Sequence, residues 1–212
     1  MSFYEYGKTE EYLLSLLHGV EPRLKPVADE ARVFGAPIVS DTGGQLLKLV
    51  TLMTRPRRIL EIGTAIGYSG LIMLLNSDAD LYTVDFDEAA LEKARRNFRD
   101  YGVGRRVRIY SGDASEILPM IEGEFDLIFL DGPKGRYYEF LPYLVDLLPA
   151  GGVLLCDNVL YSGRMAGDRE IPKSKQTIAD RLALFIEAVS TDERLVTSVL
   201  PVGDGMSLSV KK

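Results

Sequence analysis

From about residue 57 onward, short runs of apolar residues alternate with longer stretches whose apolar positions recur at helical spacing. The short runs are "RRILEIG" (57–63), "ADLYTVD" (79–85), "RVRIYSGD" (106–113), "FDLIFLD" (125–131) and "GVLLCDN" (152–158). Most are apolar at nearly every position rather than every second one, as a parallel sheet covered by helices on both faces requires. Between them, "YSGLIMLLNS", "DEAALEKARRNFRDYG", "ASEILPMIEG" and "YYEFLPYLVDLLPAGG" predict connecting helices. In the second, Ala90, Ala94 and Phe98 share one face while Glu92, Arg96 and Arg99 lie elsewhere, which predicts an amphipathic helix ending near Gly102. Gly151-Gly152 is expected to close the fourth.

After a helix expected around 175–190, the pattern changes. "RLVTSVLPVGDGMSLSVKK" reads as two strands joined by a Gly-Asp-Gly turn. That antiparallel hairpin completes a seven-stranded mixed sheet in an α/β fold. The first 55 residues look helical, punctuated by Pro22, Pro26 and Pro37, and no low-complexity linker follows them. The expectation is one domain over 1–212, with a helical cap (1–55) on a core (56–212).

Composition narrows the function classes. The 212 residues are enough to bury a substantial core, and 46% hydrophobic with 26% charged residues is the balance of a globular protein. A net charge of -6 argues against a generic polyanion binder, without excluding a local basic surface. One cysteine, Cys156, rules out an internal disulfide and suits a reducing compartment. No apolar run approaches the roughly 20 residues that span a bilayer. The opening "MSFYEYGKTE" lacks the basic-then-apolar pattern of a signal peptide, so a cytoplasmic location is expected. The single histidine, His18, sits in the cap, which argues against a Ser-His-Asp hydrolase.

Candidate chemistry gathers where the apolar runs turn polar. "LEIGTAIGYSG" follows a strand and opens a helix, and Gly63 and Gly67 permit a tight turn and close backbone approach to a ligand. The spacing is G-x-x-x-G rather than G-x-G-x-x-G, which disfavours an NAD-dependent oxidoreductase; a non-catalytic nucleotide-binding module is a further alternative. Asp85 ends the second strand, where a carboxylate can accept hydrogen bonds from ribose hydroxyls, and Asp113 ends the third. Either could instead be a helix N-cap. Asp131 closes the fourth run, and Asp157 with Asn158 the fifth. Two acids and an amide on neighbouring strand ends are hard oxygen donors suited to Mg²⁺. The competing reading has Asp157 capping a helix and Asn158 in a turn.

Taken together, "LEIGTAIGYSG", "YTVD", "SGDA", "FLDGPKGRY" and "CDNVL" resemble the S-adenosylmethionine-dependent O-methyltransferases of the catechol O-methyltransferase type, over nearly the whole chain. "LEIGTAIGYS", "DNVL" and the late "PVGDG" resemble the bacterial branch that methylates 5-hydroxyuridine in the tRNA anticodon. The resemblance implies a Rossmann-like class I methyltransferase fold and a homodimer. It implies that Val39, Gly63, Ser69, Asp85, Asp113 and Ala114 line the S-adenosylmethionine site, with Glu61 a neighbour and Asp131 shared with the metal. It also implies that the segment before Val39 closes over the methionine end, that Asp131, Asp157 and Asn158 bind a divalent metal, and that Lys134 is the base. A cation near Lys134 would disfavour its ammonium form. The alternative is a solvated loop lysine, and Gly132-Pro133 occupies a spot where relatives vary.

Two acceptors offer adjacent oxygens for chelation: a catechol-like or phenylpropanoid small molecule, and 5-hydroxyuracil with its 5-hydroxyl beside the 4-carbonyl. Arginines cluster at Arg55, Arg57 and Arg58, at Arg95, Arg96 and Arg99, and at Arg105, Arg106 and Arg108. Nearer the proposed metal loops lie Arg136, Arg164, Arg169, Lys173 and Lys175, which could meet RNA phosphates. Tyr137, Tyr138 or Tyr161 could stack an unpaired base. Solvated charge and core aromatics are the plain reading of the same residues. The expected function is Mg²⁺-dependent methylation of tRNA 5-hydroxyuridine, with a small catechol as the alternative acceptor.

Overall fold

The computed structural model describes Tyr12 and residues 15–16, 20–161, 163–166 and 170–212; His18 and Arg169 lie outside the described residues. All seven expected strands form: β1 (Arg58–Ile62), β2 (Asp80–Asp85), β3 (Val107–Ser111), β4 (Leu127–Leu130), β5 (Val153–Cys156), β6 (Leu195–Leu200) and β7 (Met206–Lys211). They make one sheet in the order β3-β2-β1-β4-β5-β7-β6. The first five are parallel, and β7 inserts antiparallel between β5 and β6.

The described helices are α1 (Lys25–Phe34), α2 (Asp41–Thr54), α3 (Tyr68–Leu75), α4 (Glu88–Asp100), α5 (Ala114–Ile117), α6 (Tyr137–Asp146) and α7 (Gln176–Thr191). Strand side chains alternate between two buried layers, which explains the continuous apolar runs. Ile59, Leu81, Leu127, Phe129 and Leu155 point into a layer shared with α1 to α4. Leu60, Val84, Ile128, Leu130 and Leu154 point the other way, against α6 and α7. Val27, Ala31, Leu47 and Val50 of the two N-terminal helices belong to the first layer. Burial of each larger apolar side chain there contributes about 1.5–3 kcal/mol.

α4 forms as its periodicity predicts, with Ala90, Ala94 and Phe98 buried. Its N-cap is Asp87, whose carboxylate accepts from the amides of Ala89 and Ala90. Two expected helices come out shorter. "ASEILPMIEG" makes one α turn and then a 3₁₀ turn, Leu118–Met120, in which Pro119 contributes no amide hydrogen. α6 stops at Asp146 rather than at Gly151. Pro149 disfavours helical geometry in the residue before it, and Gly151 instead forms a left-handed turn whose amide bonds to the Lys211 carbonyl. Among the described residues, no helix is long and apolar enough to cross a membrane.

Candidate active site

The chain leaves β1 for β2 on one side, while β4 lies on the other, so a crevice opens at the carboxyl ends of β1 and β4. A cavity of ≈ 470 Å³ occupies it. Val39, Gly63, Ser69, Asp85, Asp113, Ala114, Asp131, Lys134, Asp157 and Asn158 all line this one space, and Pro37 and Ile38 border it ahead of Val39. Glu61 does not reach the wall. It is fully buried beneath it, bonded to Ser69.

The β1–α3 turn is built around Gly63, which has φ +106, and a Cβ there would collide with the Asp131 carbonyl. Its lack of a side chain brings the β4 end against the β1 end. Gly67 plays a different part from the expected approach to a ligand. It caps α3 at φ +86, and a Cβ would lie 2.9 Å from the Phe98 ring, so its small size serves packing of α3 on α4. Between them, Ala65 has a left-handed φ of 43°, and its amide donates to Asp85 Oδ2 at 2.8 Å. Asp85 Oδ1 accepts from the Asp87 amide at 3.0 Å. Asp85 is therefore a turn-fixing acid on the cavity wall, and the helix cap belongs to Asp87. Asp113 does both jobs expected of it as alternatives. It caps α5 through the Ser115 amide, also accepts from the Ser115 hydroxyl, and lines the cavity. Those two Ser115 bonds hold its carboxyl below the usual range.

Parallel register sets Leu130 beside Cys156, so the next residues, Asp131 and Asp157, emerge side by side. The Asp157 amide bonds to the Leu130 carbonyl at 3.0 Å. Beneath them, the fully buried Tyr137 hydroxyl lies 3.1 Å from the Leu130 carbonyl and 3.2 Å from that of Asp157, bracing both strand ends. Tyr137 is thus a core strut and is not available to stack a base; Tyr138 is half exposed, and the Arg164 guanidinium covers the Tyr161 ring. Residues 158–161, directly after Asp157, form turns and no helix, which removes the capping alternative. Its Oδ1 accepts from the Asn158 amide at 2.7 Å, and Asn158 does occupy a turn, with φ 58°.

Burial, and then the nearby Asp131 charge, push the Asp157 carboxyl up to about 7. Burial also raises Asp131, against the pull of Lys134, whose Nζ lies 2.7 Å from Asp131 Oδ1. Asp204 adds further negative potential at Asp157. One lysine thus faces two sunken carboxylates that repel each other. Charge and donor type fit a divalent cation bound by Asp131, Asp157 and Asn158. The set holds only two acids, and no cluster of three or more His, Cys, Asp or Glu able to hold a metal occurs among the described residues.

Among the wall residues that pattern reading did not single out are Ala65, Tyr68 and Phe86. Tyr68 is 7% exposed and looks like the first residue of an apolar helix. Phe86 carried a usable signal: a large aromatic directly after a strand-end acid, here 74% exposed at the cavity. Several arginines of the three sequence clusters are structural. Arg106 bonds three backbone carbonyls, Arg58 packs over Tyr82 and Phe125, and Arg95 and Arg96 pair with glutamates.

Residues 25–212 match the family described as O-methyltransferase. The chain belongs to that family. A Mycolicibacterium smegmatis protein designated an O-methyltransferase is 33% identical over 187 residues, 86% of this chain and 87% of that one. The SAH-bound methyltransferase PaMTH1 of Podospora anserina superposes with a TM-score of 0.88 at 29% identity, covering 100% of this chain and 98% of that one. A Staphylococcus aureus chain designated a caffeoyl-CoA O-methyltransferase gives 0.86 at 28% identity, covering 96% and 99%. The seven-stranded sheet with its antiparallel hairpin is accordingly the Rossmann-like methyltransferase fold. This O-methyltransferase is an enzyme of the S-adenosylmethionine-dependent kind.

Proposed function

We propose that this O-methyltransferase moves the methyl group of S-adenosylmethionine onto the 5-hydroxyl of 5-hydroxyuridine in tRNA, with Mg²⁺ or another divalent cation at Asp131, Asp157 and Asn158. The observation that carries the metal-assisted reading is the convergence of those three residues on the cavity that also holds Gly63, Ser69, Asp85 and Asp113. A cation there would stabilise negative charge on the acceptor oxygen and favour its deprotonation.

The chain's own residues divide the remaining work. Asp85 offers carboxylate oxygens to a ribose, Phe86 and Ala114 offer apolar surface to a base, and Pro37 to Val39 exclude water from the methionine end. Lys134 donates a hydrogen bond to Asp131 Oδ1 on the wall, which puts its Nζ beside a hydroxyl seated there. A divalent cation at Asp131 would disfavour the ammonium form and leave an amine to take that proton. Holding the acceptor oxygen in line is worth roughly 7–11 kcal/mol when near-attack geometry is reached.

The tRNA acceptor is supported by "LEIGTAIGYS", "DNVL" and "PVGDG", and by exposed Lys173 and Lys175 on a 3₁₀ turn that packs against α7. A second reading, a small catechol-like or phenylpropanoid acceptor, is favoured by the likeness to the Staphylococcus aureus chain designated a caffeoyl-CoA O-methyltransferase. The proposal includes a homodimer, checked by light scattering. Transfer of label from S-adenosylmethionine is measured on 5-hydroxyuridine-containing tRNA and on a catechol panel, with and without chelator. Chelator-sensitive label in tRNA is expected. Efficient turnover of a catechol with the tRNA left unlabelled overturns the RNA reading, and full activity in chelator overturns the metal.

A further inference from the structure

Asp131 and Asp157 leave neighbouring strands side by side, yet among the described residues no backbone bond joins the two directly. The Asp131 amide turns to β1 and donates to the Ile62 carbonyl at 2.9 Å, while the Asp157 amide reaches back to the Leu130 carbonyl at 3.0 Å. Past that last rung the ladder does not fix how far apart the two carboxylates stand. Tyr137 supplies the missing tie. Its hydroxyl lies 3.1 Å from the Leu130 carbonyl and 3.2 Å from the Asp157 carbonyl, so one proton is shared across the gap between β4 and β5. Among the described residues the Asp157 carbonyl has no other donor.

The ring that carries this hydroxyl is itself held in place. Tyr137 is fully buried and meets Phe185 of α7 edge to face, with ring centroids 5.4 Å apart. It opens α6 directly after the 3₁₀ turn Lys134–Arg136, and Lys134 Nζ lies 5.9 Å from its ring centroid. One side chain is therefore the common reference for Asp131, Asp157 and Lys134. Spacing matters to a cation held by two acids. Mg²⁺ takes oxygens at about 2.0–2.1 Å in a near-ideal octahedron, whereas Ca²⁺ accepts about 2.3–2.6 Å and irregular shells. A fixed separation of the carboxylates can favour the exacting ion; a loose one forfeits that preference.

We propose that Tyr137 is a positioning residue: its hydroxyl sets the spacing of Asp131 and Asp157, and with it the preference of the metal site for a small divalent cation over a larger one. This deepens the metal part of the functional reading above and rests on it. Tyr137 lies wholly beneath the cavity wall, so it touches neither the cation nor the acceptor. Its hydroxyl acts through the Leu130 and Asp157 carbonyls, and Tyr137→Phe removes that action while keeping a ring against Phe185.

Two ions separate spacing from general stability. Thermal melts in excess S-adenosylhomocysteine are titrated with Mg²⁺ and, separately, with Ca²⁺, and the rise in melting temperature gives an apparent Kd for each ion. Tyr137→Phe is expected to weaken Mg²⁺ about tenfold and Ca²⁺ less than about threefold, with the calorimetric Kd for S-adenosylhomocysteine within about twofold of the unsubstituted chain. Phe185→Leu thins the same packing but leaves the hydroxyl, so it should lower the melting temperature and keep the ratio of the two ion affinities. Equal weakening of both ions, no weakening of either, loss of S-adenosylhomocysteine binding in Tyr137→Phe, or the same change of ratio in Phe185→Leu overturns the inference while leaving the functional reading standing. An unsubstituted chain whose melting temperature rises with neither ion overturns the inference and the metal reading together.

Discussion

Glu61→Gln keeps the shape of a buried side chain while removing its charge. Burial raises the Glu61 carboxyl from 4.5 to about 7, with the Ser69 and Thr83 bonds pulling the other way and the charges of Asp131 and Asp85 adding to the rise. At about 1.4 kcal/mol per pH unit, that gap is worth about 3 kcal/mol. The sign follows from which state gives up its proton first. Below about pH 4.5 the carboxyl is protonated in both the folded and unfolded chain, and its contribution to stability is fully present. Between that pH and about 7 the unfolded chain ionises first, so stability falls as pH rises, and above about 7 the loss is complete. Asp131 and Asp157 are also raised and titrate in the same direction, but they do so in both proteins and cancel in the comparison. Urea unfolding with chelator present, at about pH 5 and about pH 8, should show the unsubstituted chain losing about 3 kcal/mol more than Glu61→Gln. Thermal melts should show a difference of about 6–12 °C. Parallel pH curves for the two proteins would refute the reasoning, because they would mean that the carboxyl ionises as easily inside as outside.

Asp157→Ala should lower methyl transfer at least about a hundredfold, while raising the melting temperature measured in chelator, since it removes a sunken charge that Asp131 opposes. Calorimetric melts with and without Mg²⁺ check this, and the metal-induced rise should vanish in the variant. Gly63→Ala forces a methyl group into the Asp131 carbonyl at φ +106 and should cost about 2–4 kcal/mol in urea unfolding. Asp85→Ala frees the amides of Ala65 and Asp87 and removes the carboxylate from the wall. It should weaken S-adenosylhomocysteine at least about tenfold, measured by calorimetry, with far-ultraviolet dichroism unchanged.

The centre of the sheet was legible because β1, β2, β4 and β5 are covered on both faces, so each wrote a dense apolar run, and those of β2, β4 and β5 end at an acid: Asp85, Asp131 and Asp157. The hairpin was legible from its Gly-Asp-Gly turn, and α4 from a single apolar face. What escaped the pattern depends on the third dimension. Nothing local distinguishes Asp85, held by turn amides, from Asp87, which caps α4. Gly67 looks like Gly63 in sequence, but Phe98 from another helix decides what it does. Glu61 is close in sequence to the wall residues but turns into the opposite environment, and only the β1–β2 register brings Thr83 to it. Helix ends were misplaced where prolines, Pro119 and Pro149, overrode the apolar periodicity.

The insertion of β7 between β5 and β6 has a consequence for how the crevice is held together. The turn that follows Asp157 is pinned by residues arriving with β7: the Val159 amide bonds to the Gly205 carbonyl, and the Leu160 amide to that of Asp204. The β1–α3 turn is held by residues close in sequence, whereas this clasp joins segments far apart along the chain. Loss of the hairpin would thus loosen the turn beside Asp157 while leaving the bonds of the β1–α3 turn to Asp85 in place.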